Sequence, residues 1–147
     1  MLNIFRGIHK GPLPALTDGE ATLAANLRKH VEMLATLIGD RNLTNAPKSL
    51  ELAADSLEST FKKLGYHPGA QPYRVAGQFV RNIDAEIRGS DRAGEIVVVG
   101  SHYDSIAIPG GCPGANDNAS GVAATLELAR LRESQTSPHD SVRRVRQ

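Results

Sequence analysis

An α/β fold is the expectation from this sequence. The most apolar run is Ile96, Val97, Val98 and Val99, four consecutive β-branched residues of the kind that suit a strand covered on both faces. Two stretches of helical periodicity precede it, and a glycine-rich loop followed by a third helical pattern comes after it. In open α/β sheets, ligands gather beyond the carboxyl ends of the strands, so residues 101–121 are where functional groups are expected.

The elements follow in order. Residues 1–16 hold Gly7, Gly11, Pro12 and Pro14 and read as a flexible N-terminal arm, with no apolar core of signal-peptide length. Thr17, Asp18, Gly19 and Glu20 have the form of a capping box, in which hydroxyl and carboxylate satisfy orphan amides at a helix start. Ala24, Leu27, Val31, Leu34, Ala35 and Ile38 then recur at intervals of three and four, and Gly39 ends the helix. Pro47 opens a second helix carrying Leu50, Ala53, Ala54, Leu57, Phe61 and Leu64. Lys62 and Lys63 complement its dipole and Gly65 stops it.

Residues 72–80 read as one strand and residues 82–88, with Ile83, Ala85 and Ile87 alternating with polar neighbours, as a second. Residues 89–94 supply a turn into the apolar strand. After Asn118, the residues Val122, Ala123, Leu126, Ala129 and Leu131 predict a third helix, with Asp117 or Asn118 as its N-cap. Residues 132–140 read as a surface loop, and Ser141, Val142 and Arg143 as the start of a further strand.

At 147 residues, 40% hydrophobic and 22% charged, the chain has the composition of a single globular domain. Seventeen basic and 16 acidic side chains leave a net charge of +1, which argues against a nucleic-acid footprint or a polybasic membrane anchor. No segment reaches membrane-spanning length. A chain starting at Met1 is expected in the cytoplasm, and an export signal is expected only if the true start lies upstream. One cysteine, Cys112, excludes an internal disulfide and reads as a bystander.

The chemistry sits in residues 101–121. His102 and Asp104 are two apart, so on an extended chain their side chains leave the same face. A neutral imidazole suits zinc, and a neighbouring carboxylate can orient the ring. Asp117, at the far end of the loop, could bridge two metal ions. A His-x-Asp pair alone is more often two solvated surface residues. His30 reads as a partly exposed helix residue and His139 as a solvated one, His67 is assigned no role, and Glu51, Asp55 and Glu58 read as an outer helix face. Gly110, Gly111 and Gly114 suggest a phosphate cradle, but no lysine follows Lys63 and Asp117 would repel the anion.

The paired motif decides the balance. Gly100-Ser101-His102-Tyr103-Asp104-Ser105 followed by Gly114-Ala115-Asn116-Asp117-Asn118-Ala119-Ser120-Gly121 resembles metallopeptidase family twenty-eight, the co-catalytic zinc aminopeptidases and their carboxypeptidase relatives. The resemblance implies a mixed-sheet α/β sandwich of the zinc aminopeptidase type, two zinc ions and a peptide substrate. It implies that His102 binds one zinc, that Asp117 bridges both, and that Asp104 supports His102 from behind. It also implies a cis peptide between Asp117 and Asn118. The pair Arg41-Asn42 after the first helix resembles the family too, without a mechanism apparent from sequence.

The family's acidic general base and remaining ligands come later than Gln147, and the resemblance is expected to end near Val142, where Arg144 and Arg146 replace apolar strand residues. Residues 17–147 therefore read as the N-terminal part of a zinc exopeptidase domain, truncated, inactive alone and marginal in stability. The alternative is a non-catalytic remnant or binding module. Oligomeric state is left open.

Overall fold

The computed structural model describes residues 11–89, 92 and 94–133. The expected strand at Ser141, the loop over 134–140, His139, the end of the resemblance near Val142 and most of the N-terminal arm lie outside them.

Helix α1, Asp18–Glu32, starts as its sequence dictates. Thr17 Oγ1 accepts the Glu20 amide at 3.3 Å, and Glu20 Oε2 accepts the Thr17 amide at 2.8 Å. The helix then loosens into a π-helical turn, Met33–Ile38, closed where the Gly39 amide donates to the Leu34 carbonyl at 3.0 Å. Helix α2, Pro47–Lys63, has proline in its first turn, where the missing amide costs nothing. Helix α3, Ser120–Glu133, follows an irregular turn over Ala115–Ala119. Asn118, rather than Asp117, takes the capping role there: its Oδ1 accepts the Gly121 amide at 3.0 Å.

The three helices share one apolar core of Leu34, Ala53, Leu57, Ala119, Val122 and Leu126. Helix α1 packs on α3, and Leu34 of the π-helical turn is its contribution to full burial. The buried carboxylate of Glu127 fastens this pairing. It accepts from Asn26 at 3.2 Å and Arg130 at 2.7 Å and lies 3.4 Å from His30 Nε2, which satisfies a charge that would otherwise be costly to bury. His30 is thus a structural partner of Glu127.

Strands β1, Gly69–Val75, and β2, Gln78–Asp84, form a two-stranded antiparallel sheet. Its turn falls inside the expected first strand. Ala76 at φ 49° and Gly77 at φ 80° supply the two positive φ angles of a two-residue hairpin, and the alanine masks a signal normally carried by Asn or Gly. Arg81 of β2 docks the hairpin on α2. Its Nε donates to Glu58 Oε1 at 2.6 Å and its Nη2 pairs with Asp55, so two of the three carboxylates read as a solvated stripe are tethers.

The expected central strand is a second correction. Residues 96–99 are in no sheet, and Ile96, Val97, Val98 and Val99 are 86%, 87%, 86% and 58% exposed. A run of β-branched residues favours an extended chain, but a strand exists only where another backbone pairs with it, and among the described residues none does. Beside this run lies an open cleft of about 2080 Å³, walled by Leu57, Phe61, Ile83, Val98 and Leu126. The fold is therefore α/β in class, while the sandwich itself is not formed among the described residues.

Alanine at φ 49° is strained in a way glycine is not. Ala76→Gly should raise stability by about 0.5–1 kcal/mol in urea denaturation, against the usual sign of such a change.

Candidate metal centre

Residues 101–105 run extended, and their burial alternates. His102 and Asp104 are exposed, Tyr103 is half-buried and Ser105 is buried. Period-two alternation thus puts the imidazole and the carboxylate on one face, although no sheet partner among the described residues enforces it. The inward residues anchor the segment. Tyr103 donates its hydroxyl to the Arg81 carbonyl at 2.7 Å, and burial pushes its phenol pKa up. Ser105 donates its amide to the Arg41 carbonyl at 2.8 Å and accepts the Arg41 amide on Oγ at 3.0 Å. Ser101 Oγ lies 3.2 Å from Thr125 Oγ1 of α3.

The second side of the site comes from the turn before α3. Asp117 (φ −122°, ψ 86°) and Asn118 (φ −139°, ψ 41°) depart from helical angles, and the peptide bond between them is cis, as the family resemblance implies. Gly114, at φ 56°, opens this turn, and its carbonyl accepts the Ala119 amide at 3.0 Å. A Cβ there would stand 2.6 Å from the Asp117 carbonyl oxygen and 2.9 Å from Ser105 Cβ, so only glycine lets the two segments approach.

The approach brings all three sequence-derived candidates together. His102 Nδ1 lies 3.1 Å from Asp104 Oδ1, and His102 Nε2 lies 3.0 Å from Asp117 Oδ1. The ring is sandwiched between two carboxylates, with side-chain exposures of 52% for His102, 59% for Asp104 and 80% for Asp117. Imidazole nitrogen and carboxylate oxygen are zinc-type donors. A tetrahedral zinc with bonds of ~2.0–2.2 Å spaces its ligand atoms by ~3.4 Å, so a small relaxation of the observed pair would admit the ion. Donor chemistry and spacing fit zinc. The set is not complete, because no cluster of three or more His, Cys, Asp or Glu side chains able to hold a metal occurs among the described residues.

Sequence reasoning passed over Arg41 as a part of this site. Its Nε donates to the Tyr103 carbonyl at 2.7 Å and its Nη2 to the Gly114 carbonyl at 3.2 Å, so it touches both segments. The signals available were its place directly after Gly39 and Asp40, at the end of the first helical pattern, and the family resemblance of the Arg41-Asn42 pair, neither of which gave a mechanism. No helix among the described residues is long and apolar enough to cross a membrane.

The Gly114 geometry is directly testable. Gly114→Ala forces a clash with Asp117 or a shift of the turn, and should lower stability by about 1–3 kcal/mol in chemical denaturation.

Comparison with known proteins points to a family. Residues 82–146 match the sequence pattern of peptidase family M28. The chain is 34% identical over 114 residues to the uncharacterized protein YfbL of Escherichia coli K12, covering 74% of this chain and 34% of that protein. It is 40% identical over 57 residues to a probable zinc metalloprotease of Leptosphaeria maculans, covering 35% and 13%. It is 28% identical over 107 residues to leupeptin-inactivating enzyme 1 of Streptomyces exfoliatus, covering 71% and 24%. The chain thus spans no more than about a third of the length of these relatives. With the paired motif and the matched pattern in agreement, residues 82–146 belong to peptidase family M28.

Proposed function

We propose that this chain is the part of a zinc-dependent exopeptidase, aminopeptidase-like, that supplies the first metal ligands. The observation that carries the reading is the His102 ring held between Asp104 at 3.1 Å and Asp117 at 3.0 Å. Relatives described as a probable zinc metalloprotease and a leupeptin-inactivating enzyme support the same chemistry.

The roles follow from the geometry. With a cation at Nε2, Asp104 Oδ1 would accept a hydrogen bond from His102 Nδ1–H, holding the tautomer whose Nε2 lone pair faces the ion. Asp117 offers carboxylate oxygens on the other side of that lone pair and would hold the cation with His102. Zinc held there would supply an activated water and polarise a scissile carbonyl. Both ligands are exposed, so a peptide can reach them, and the His102 segment borders the open apolar cleft. Two protein ligands hold zinc weakly, since catalytic sites ordinarily supply three, and a general base has to join the pair before water attacks a peptide bond. The chain of 147 residues therefore takes up zinc without turning over.

A second reading, a binding module without catalysis, draws on the absence of a three-ligand cluster among the described residues. Zinc uptake separates the two. Competition against a chromophoric chelator should show uptake by the chain, its loss in His102→Ala and Asp117→Ala, and weakening of about tenfold in Asp104→Asn. Uptake that survives both alanine variants would overturn the assignment of ligands. Zinc-dependent release of a chromophore from an aminoacyl substrate by this chain would overturn its inactivity.

A further inference from the structure

Arg41 is the largest fully buried side chain among the described residues, with 0% exposure. A buried cation is costly unless its donors are satisfied. Here the guanidinium is met by backbone carbonyls. Nη1 lies 2.8 Å from each of the Leu34 and Gly39 carbonyls and 2.6 Å from that of Pro113, which share its two N–H groups, while Nε donates to Tyr103 at 2.7 Å and Nη2 to Gly114 at 3.2 Å. The main chain of Arg41 adds its pair of bonds with Ser105. Burial lowers the Arg41 pKa from its ordinary value, and the nearby charges of Asp104 and Asp40 oppose that shift.

The acceptors belong to three separate pieces of chain. Leu34 and Gly39 close the first helix; Tyr103 stands between His102 and Asp104; Pro113 and Gly114 open the turn that carries Asp117. The side chains of His102 and Asp117 are themselves exposed, and 96–99, the run leading into His102, has no sheet partner among the described residues. The separation of the two ligands is therefore set by what holds their backbones, and one planar fork reaches both.

We infer that Arg41 is the positioning residue of the metal centre, a buried guanidinium that fixes the His102 segment and the Asp117 turn at one distance from each other. The inference rests on the metal-centre reading above. Lysine keeps the charge but presents its donors from a single point and cannot span carbonyls spread around a plane. Arg41→Lys therefore separates positioning from charge.

The test compares Arg41→Lys with Leu50→Ala, a core variant in α2 that destabilises the fold without touching either ligand segment. Zinc affinity should fall about tenfold in Arg41→Lys and stay near wild type in Leu50→Ala. In metal-free protein, exchange of the Ser105 and Ala119 amides, which donate to the Arg41 and Gly114 carbonyls, should quicken in Arg41→Lys relative to the Leu57 amide in α2. If Arg41→Lys does not fold, Ser105→Ala removes the hydroxyl that accepts the Arg41 main-chain amide, a separate tie between Arg41 and the His102 segment, and should weaken zinc about fivefold. Loss of affinity no greater than in Leu50→Ala, or Ser105 and Ala119 exchange unchanged relative to Leu57, overturns the inference. Wild-type protein that takes up no zinc overturns the metal-centre reading instead, and the exchange comparison then decides whether Arg41 holds the two segments together.

Discussion

The structure depends on a buried guanidinium that has to be satisfied. Arg41 has no exposure, and the oxygens around it are carbonyls of the first helix end, of the His102 segment and of the turn before α3. The Leu34 and Gly114 carbonyls also accept the Gly39 and Ala119 amides, while those of Tyr103, Gly39 and Pro113 would lose a charged donor if the arginine left, so cation and loops stabilise one another. Gly114 makes the closeness possible, since its missing Cβ leaves room for Ser105, the Asp117 carbonyl and the Arg41 Nη2. Asn42, the next residue, shapes the following turn by accepting the amides of Thr44 and Asn45 at 3.2 and 2.7 Å.

What the sequence made legible was local. The capping box at Thr17, the proline opening α2 and the order of loop and helix around Asp117 all depend on neighbours a few residues away, and all appear where expected. The His-x-Asp spacing needed only an extended backbone to put both side chains on one face, and the alternating burial of residues 102–105 supplies it. The hairpin turn was misplaced because alanine stands where the backbone requires a positive φ, so its composition carried no warning.

Two features were beyond local reading. Four β-branched residues promised a buried strand, but pairing is a property of the partner, and residues 96–99 lie exposed along the cleft. The role of Arg41 was hidden because its Tyr103 and Gly114 acceptors are backbone atoms 62 and 73 positions further along the chain, and any residue type supplies a carbonyl. Likewise Asp55 and Glu58 showed the spacing of a solvated face while serving as the anchor for Arg81.

The result is a pair of candidate ligands on a packed base: helices joined through Leu34, Leu57 and Leu126, a carbonyl-coordinated arginine, and an imidazole flanked by two carboxylates at the surface. The identity of the atoms around a bound zinc tests this most directly. X-ray absorption at the zinc edge should show nitrogen and oxygen neighbours at about 2.0–2.2 Å with the outer scattering of an imidazole that disappears in His102→Ala. A sulfur neighbour from Cys112, or an imidazole signature that persists in His102→Ala, would contradict the account.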